Sequence, residues 1–204
     1  MYFDFDDTLV NVGNLHAEAF QKALEFFGSP IDFDYKELAG LETIDGFQAL
    51  GFNERDSANL TVKKRQIFQD LSSSNEITWI EGVADLLDTL DKLKIHYGVV
   101  SSGTRKRIID ILTKLNSEDR FRFILTKEDV SHSKPNPEPY ILAISKSRIS
   151  ANYSLAVEDS LNGFLSATAA GIDVWQISEV QENNIFSSLN GPAKALQEWI
   201  VSKC

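Results

Sequence analysis

Short apolar runs, each the length of a buried strand, alternate along this chain with segments whose apolar residues recur at helical spacing. The runs are Tyr2–Phe5, Tyr97–Val100, Phe121–Leu125 and Leu155–Val157, with a fifth, Ile172–Ile177, after a glycine. Between them, residues 82–93 place Val83, Leu86, Leu87, Leu90 and Leu93 on one helical face. Residues 105–115 do the same with Ile108, Ile109, Ile111, Leu112 and Leu115. Residues 137–147 and 161–170 read as further helices, with Pro139 near the start of the first. Strands joined through helices pair in parallel, and a parallel sheet is buried on both faces. The expected fold class is therefore α/β, a parallel sheet with helices on both faces.

Residues from about 12 to 80 break this rhythm. Residues 16–27 form an amphipathic pattern ending at Gly28, and 43–50 and 55–71 are also helical in spacing. No strand pattern interrupts them. A helical block of this kind, entering where the first strand ends, reads as an insertion. Ligands of open parallel sheets bind beyond the carboxyl ends of the strands, so the insertion is expected to cover the active site.

Charge and cysteine content narrow the function classes. The 204 residues carry 20 Lys+Arg against 30 Asp+Glu, a net charge of -10. That sign disfavours non-specific nucleic-acid binding and docking on an anionic membrane. A small anionic substrate stays compatible, because a local site can oppose the global charge. With 43% hydrophobic residues, the chain has material for a core and is not disordered as its main state. Cys204 stands alone, so no intrachain disulfide or cysteine metal site is expected, and a reducing, cytoplasmic compartment is the simple reading. The acidic start, Met1 to Asp7, lacks the features of a signal peptide. No apolar run approaches the roughly 20 residues of a membrane helix. Oligomeric state is not legible.

Four polar groups fall at strand ends or in the loops beyond them. Asp4, Asp6 and Thr8 follow the first run. Alternate residues of an extended segment point the same way, so Asp4 and Asp6 converge, and a hard cation such as Mg²⁺ would relieve their repulsion. The competing reading is a solvated acidic turn capped by Thr8. Ser101 and Ser102 end the second run, and fit either a phosphate contact at a helix N-terminus or an N-cap by Ser102 or Thr104. Lys134 opens the stiff segment Lys134-Pro135-Asn136-Pro137-Glu138-Pro139. It is either a rigidly held phosphoryl partner or an exposed lysine in a turn. Glu158 and Asp159 end the fourth run. They either complete an oxygen-only metal site with Asp4 and Asp6, or face the dipole of the next helix.

Taken together in this order, the four resemble the motifs of the haloacid dehalogenase-like hydrolase superfamily. Asp4-Phe5-Asp6-Asp7-Thr8 fits its Asp-x-Asp-x-Thr motif, Ser101 its strand-ending hydroxyl, Lys134 to Pro137 its Lys-Pro-x-Pro, and Glu158-Asp159 its acidic pair. The stretch Glu158 to Gly163, on through Ala169-Ala170-Gly171, is similar to the β-phosphoglucomutase-like branch. The sequence departs from that branch at Asp7, where glycine is usual, at Asn11-Val12, and at Glu81, where a proline is usual.

The resemblance implies a Rossmann-like core, residues 1–11 and 80–204, and a small helical cap, residues 12–79. It implies Asp4 as nucleophile forming an aspartyl-phosphate, and Asp6 as acid and then base. Ser101, the Ser102 backbone and Lys134 would hold the phosphoryl oxygens. Mg²⁺ would be held by Asp4, the Asp6 carbonyl and Asp159, with Glu158 assisting.

The expected function is a Mg²⁺-dependent phosphatase of small phosphorylated metabolites. The alternatives are a sugar-phosphate mutase of the β-phosphoglucomutase type and a non-catalytic binding protein on the same fold. A dehalogenase would lack the second acid, Asp6. Against the mutase, no arginine follows Gly40, and Glu42 is expected to repel a second phosphate. Specificity is expected from His16, Phe20 and Thr43, with His16 also readable as a helix-surface or interface residue. The cluster Lys63-Lys64-Arg65 is expected to be a solvated helix face, the alternative being that it attracts anionic substrates into the cap.

Overall fold

The computed structural model describes residues 1–177. The remainder of the expected core range, with Cys204, lies outside the described residues. Five parallel strands form one sheet in the order β3-β2-β1-β4-β5. They are β1 (Tyr2–Phe3), β2 (Gly98–Val100), β3 (Ile124–Leu125), β4 (Leu155–Glu158) and β5 (Asp173–Gln176). Ladder register pairs Phe3 with Val99 on one side and with Val157 on the other. The expected α/β class is therefore observed, with shorter first and third strands than the apolar runs suggested. Apolar character continues past the ladder because Phe5 and Phe121 are buried core residues outside regular strand.

Pleating decides which side chain packs where. Phe3, Val99 and Val157 join one core, whereas their neighbours Tyr2, Val100 and Ala156 join the other. Helices α5 (Val83–Lys92) and α6 (Arg105–Lys114) cover the first side, with Leu87, Leu90, Ile108 and Leu112. Helices α7 (Glu138–Ser147) and α8 (Leu161–Ala169) cover the second, with Tyr140, Ala143 and Ala167. Leu93 departs from its expected face. It is the C-cap of α5 and 51% exposed, because the helix ends before it can turn inward.

The insertion is helical, as its spacing required. It contains α1 (Gly13–Phe26), α2 (Tyr35–Leu38), α3 (Thr43–Ala49) and α4 (Glu54–Ser74). Only α2 was not anticipated, since four residues carry no readable period; Asp34 caps it by accepting from Lys36 N at 2.9 Å. Phe20, Leu24, Leu38, Phe47 and Leu60 form a separate apolar cluster within the insertion. The chain enters and leaves it through two segments that pair with each other. Asn11 N donates to Thr78 O at 3.2 Å and Ile80 N to Leu9 O at 2.9 Å.

Asp7 explains how the entry turn is built. Its φ is +54°, in the left-handed region that Asp tolerates better than most residues. In return, its carboxylate accepts from Val12 N at 3.0 Å and Gly13 N at 2.6 Å, at the start of α1. Gly13 permits that approach, since a Cβ there would lie 2.1 Å from Asp7 Oδ2. Among the described residues, no helix is long and apolar enough to cross a membrane.

Candidate active site

Strand order reverses around β1, which lies between β2 and β4. Crevices form at the carboxyl ends of strands where order reverses. A cavity of about 500 Å³ opens there, bounded below by Asp4, Asp6, Ser101 and Asp159 and above by the insertion.

Asp4 follows β1, and its N–H donates to Val157 O at 3.0 Å, which fixes its direction. Lys134 Nζ donates to Asp4 Oδ1 at 2.6 Å, to Glu158 Oε1 at 2.6 Å and to Val100 O at 2.8 Å. The exposed-turn reading of Lys134 is thus excluded: it is 2% exposed. Burial alone would lower its pKa, but Asp4 and Glu158 more than offset that and hold it charged. Tyr140, on α7, donates to Glu158 Oε1. Nothing in the sequence marked Tyr140, because only the packing of α7 on β4 brings it to the acid.

Asp4, Glu158 and Asp159 each offer an oxygen within 4.8 Å of the others. Burial raises the Asp4 pKa well above the usual carboxylate range, despite the opposing Lys134 charge. Burial, then the Glu158 and Asp7 charges, raises Asp159 to about 7. Glu158 Oε2 is buried with no hydrogen-bond partner among the described residues. Three crowded carboxylates, two of them disfavoured as anions, suit a divalent cation with hard oxygen ligands. The residues present therefore fit Mg²⁺. The acids do not serve as first-turn caps of α8; Ser160 does that, accepting from Gly163 N at 3.1 Å. Thr8 is no local cap either, since its hydroxyl donates to Asp159 Oδ1 at 3.1 Å.

Ser101 lines the cavity, and its Oγ accepts from Gly103 N at 3.0 Å. Ser102 Oγ donates to Gly40 O at 3.0 Å, tying the insertion to the core. Asn162 Nδ2 makes a second tie, to Ala39 O at 2.9 Å. The proposed N-caps of α6 are not made: Thr104 holds the position without a side-chain bond.

Asp6 is gripped by a residue the motifs did not indicate. Arg107, on α6, donates to both Asp6 oxygens at 2.6 Å. The Arg107 charge outweighs burial and holds the Asp6 carboxyl well below the usual range. Arg107 stands outside every recognised motif, so its reach across to β1 is a tertiary fact.

His16, Phe20 and Thr43 all line the cavity. His16 is not a surface residue; it is buried, with its ring stacked on Phe68 at 4.1 Å between centroids. Lys64 Nζ lies 2.6 Å from His16 Nδ1, and His16 Nε2 lies 3.6 Å from Asp6 Oδ2. Burial and the Lys64 charge lower the His16 pKa to about 3, so the ring is neutral.

Two expectations are corrected here. Lys64 is not on a solvated face but 3% exposed, because α4 turns that side onto α1. Glu42 does not confront the ligand space. It accepts from Ser133 Oγ and lies 3.5 Å from Lys127.

Burial, then the Arg107 and Arg65 charges, lowers Lys64 to about 7. Between pH 7 and its ordinary 10.5, the unfolded chain binds the extra proton, so this group makes stability rise with pH. Lys64→Met removes the contribution. Its unfolding free energy relative to the parent should therefore be most favourable at pH 6 and should decline by a few kcal/mol by pH 9, each tenfold in proton affinity being worth about 1.4 kcal/mol. Urea titrations at the two pH values measure this; a difference that does not change with pH would contradict it.

A parallel α/β sheet whose strand ends gather carboxylates around a buried lysine has the charged groups that phosphoryl transfer requires. Residues 1–177 match the sequence profile of the haloacid dehalogenase-like hydrolases, and the chain belongs to that family. Validoxylamine A 7'-phosphate phosphatase from Streptomyces hygroscopicus subsp. limoneus is 28% identical over 174 residues, covering 83% of this chain and 81% of that protein. Pyrophosphatase PpaX from Bacillus pumilus is 29% identical over 172 residues, covering 83% and 78%. Among solved structures, CbbY from Rhodobacter sphaeroides in complex with xylulose 1,5-bisphosphate has a TM-score of 0.77 at 23% identity, covering 92% of this chain and 89% of its own. β-Phosphoglucomutase from Clostridium difficile has a TM-score of 0.82 at 20% identity, covering 98% and 96%. These two likenesses show the fold. The chain is an enzyme of the haloacid dehalogenase type, and its named relatives include phosphatases.

Proposed function

We propose that the protein is a Mg²⁺-dependent phosphatase of small phosphorylated metabolites, acting through an aspartyl-phosphate on Asp4. The observation that carries this reading is the buried Asp4 carboxylate, 2.6 Å from Lys134 Nζ and within 4.8 Å of oxygens of Glu158 and Asp159. The phosphatase relatives support it. Residues 1–11 with 80–204 act as the catalytic core and residues 12–79 as the cap. The cytoplasm is the compartment we assign, on the strength of the lone Cys204.

In this reading Asp4 attacks phosphorus and the bond to the leaving oxygen breaks. Asp6 delivers a proton to that oxygen, then takes one from the water that opens the acyl phosphate. Asp6 must first part from Arg107 and take up a proton from water, because the guanidinium holds it ionised. Lys134, Ser101 and the Ser102 backbone receive the phosphoryl oxygens. Asp4, Asp159 and the Asp6 carbonyl would hold Mg²⁺, with Glu158 assisting, and the bound ion supplies positive charge against the phosphoryl group. EDTA should abolish phosphate release, and Mg²⁺ should restore it better than Zn²⁺. Full turnover in EDTA would remove the metal from the reading.

A second reading, a sugar-phosphate mutase, gains from one observation: Lys64 and Arg107 both face the cavity that Glu42 was expected to make repulsive. We favour net hydrolysis. Incubation with β-glucose 1-phosphate, a trace of the bisphosphate and Mg²⁺, followed by ³¹P NMR, separates the two. Glucose 6-phosphate without free phosphate would establish the mutase.

A further inference from the structure

The cavity holds more positive charge than one transferring phosphoryl group uses. Lys134 is committed to Asp4 and Glu158. Six lysines and arginines line the cavity against five aspartates; three of the six are Arg107, which enters from α6, and Lys64 and Arg65, which enter from α4. The chain as a whole carries -10, so this gathering of cations runs against the overall charge.

Arg107 is the most constrained of the three. Its side chain is 16% exposed, and its guanidinium carbon lies 5.3 Å from the Phe68 ring centroid. The turn after Ser101 is shaped around it: a Cβ on Gly103 would lie 2.0 Å from Arg107 Nη2. Its fork is closed on Asp6, with two bonds of 2.6 Å. Two-pronged geometry of this kind fits a carboxylate or a phosphate equally well. Lys64 faces Phe68 too, 5.3 Å from its centroid. Like charges collected this closely are held together by anions, and Asp6 is the anion that Arg107 grips here. Burial, and then the two arginine charges, lower Lys64 to about 7.

We propose that Arg107 is a specificity-determining residue that selects phosphate monoesters carrying a second anionic group, a phosphate or a carboxylate. This rests on the phosphatase reading above. A second anion entering the cavity takes the guanidinium from Asp6, one bidentate partner replacing another. Asp6 is then unpaired at the reacting centre. A substrate with a neutral tail offers Arg107 nothing, and the guanidinium stays on Asp6. The cation thus comes from a helix of the core, where the loop after Gly40 supplies none.

The test uses two matched pairs with Mg²⁺: ribose 5-phosphate against ribose 1,5-bisphosphate, and glycerol 3-phosphate against 3-phosphoglycerate. Each pair differs by one added anionic group, phosphate in the first and carboxylate in the second. In at least one pair, kcat/KM should favour the doubly anionic member by about 10-fold or more, the scale of charge-assisted hydrogen bonds. The pair that responds identifies the kind of anion. Arg107→Gln should shrink that ratio to within about threefold, and Arg107→Lys should recover part of it. Calorimetric binding of the same four compounds to Asp4→Asn protein should give the same preference without turnover. If Arg107→Gln fails to fold, Arg107→Lys must still lower the ratio. A parent enzyme that releases phosphate from all four without preference overturns the proposal and leaves the phosphatase standing. An unchanged ratio in the Arg107 variants also overturns it. No release from any compound, with binding that still depends on Arg107, would instead remove the phosphatase and keep the second-anion site. No release and no binding would overturn both.

Discussion

Asp4→Asn should reduce phosphate release by between about 10⁴- and 10⁶-fold, the range seen when a catalytic nucleophile or its partner is removed. The substitution keeps the shape of the side chain. It removes the attacking charge and one of the three oxygen-bearing acids within 4.8 Å of each other. It also weakens the 2.6 Å contact from Lys134 by taking away the negative charge. The fold should survive, since the asparagine still offers an oxygen to Lys134, and burial already disfavours the Asp4 anion. Circular dichroism and urea unfolding check the fold, and a phosphate-release assay with Mg²⁺ checks the activity. A folded Asp4→Asn protein with near-parental turnover would end the aspartyl-phosphate reading.

Lys134→Met should lower both stability and activity, and the loss of stability is the larger structural effect expected for any single residue of the site. Lys134 is a fully buried cation between two buried acids, Asp4 and Glu158, at 2.6 Å from each. Removing one partner of a buried ion pair costs about 3–5 kcal/mol, because the remaining charge is left without compensation. Methionine fills much the same volume, so the loss is electrostatic rather than a cavity. For a domain of this size the melting temperature should fall by roughly 6–20 °C. The sign with pH can be checked as well. In the variant, burial favours the protonated form of Asp4 with no Lys134 charge to oppose it, so the folded chain holds a proton that the unfolded chain releases and the deficit should narrow as the pH is lowered toward 5. Added Mg²⁺ should recover part of the loss, because it supplies another cation to the same acids. A variant within about 1 kcal/mol of the parent at neutral pH would show that Lys134 is not holding these acids together.

Most of the fold was legible because its signals are local. Period-two pleating and helical spacing depend on neighbours a few residues apart. Hence Leu86, Leu87 and Leu90 could be assigned to a buried face before any packing was known. Leu93 failed because helix ends depend on one or two residues. Glu158 and Asp159 were recognisable because they stand at the end of β4, and Lys134 because it lies in the loop between β3 and α7, where parallel topology opens on one crevice.

What spacing could not convey was the company each side chain keeps across the molecule. Arg107 meets Asp6 across 101 residues, Lys64 meets His16 across 48, and Tyr140 reaches Glu158 through the seating of α7. The triplet Lys63-Lys64-Arg65 looks like an ordinary solvated face from its composition, yet α1 covers its middle member. Glu42 carries a charge that looks repulsive in the chain and is instead turned toward Ser133 and Lys127. Residue type and order were enough for the sheet and for α1, α3 and α4, and they placed the candidate acids, hydroxyl and lysine along the chain, since strand ends of a parallel sheet all open on one crevice. The charge balance above that crevice was decided only by tertiary packing, because burial and opposing partners set whether a lysine, an arginine or a glutamate acts on a ligand or on the protein itself.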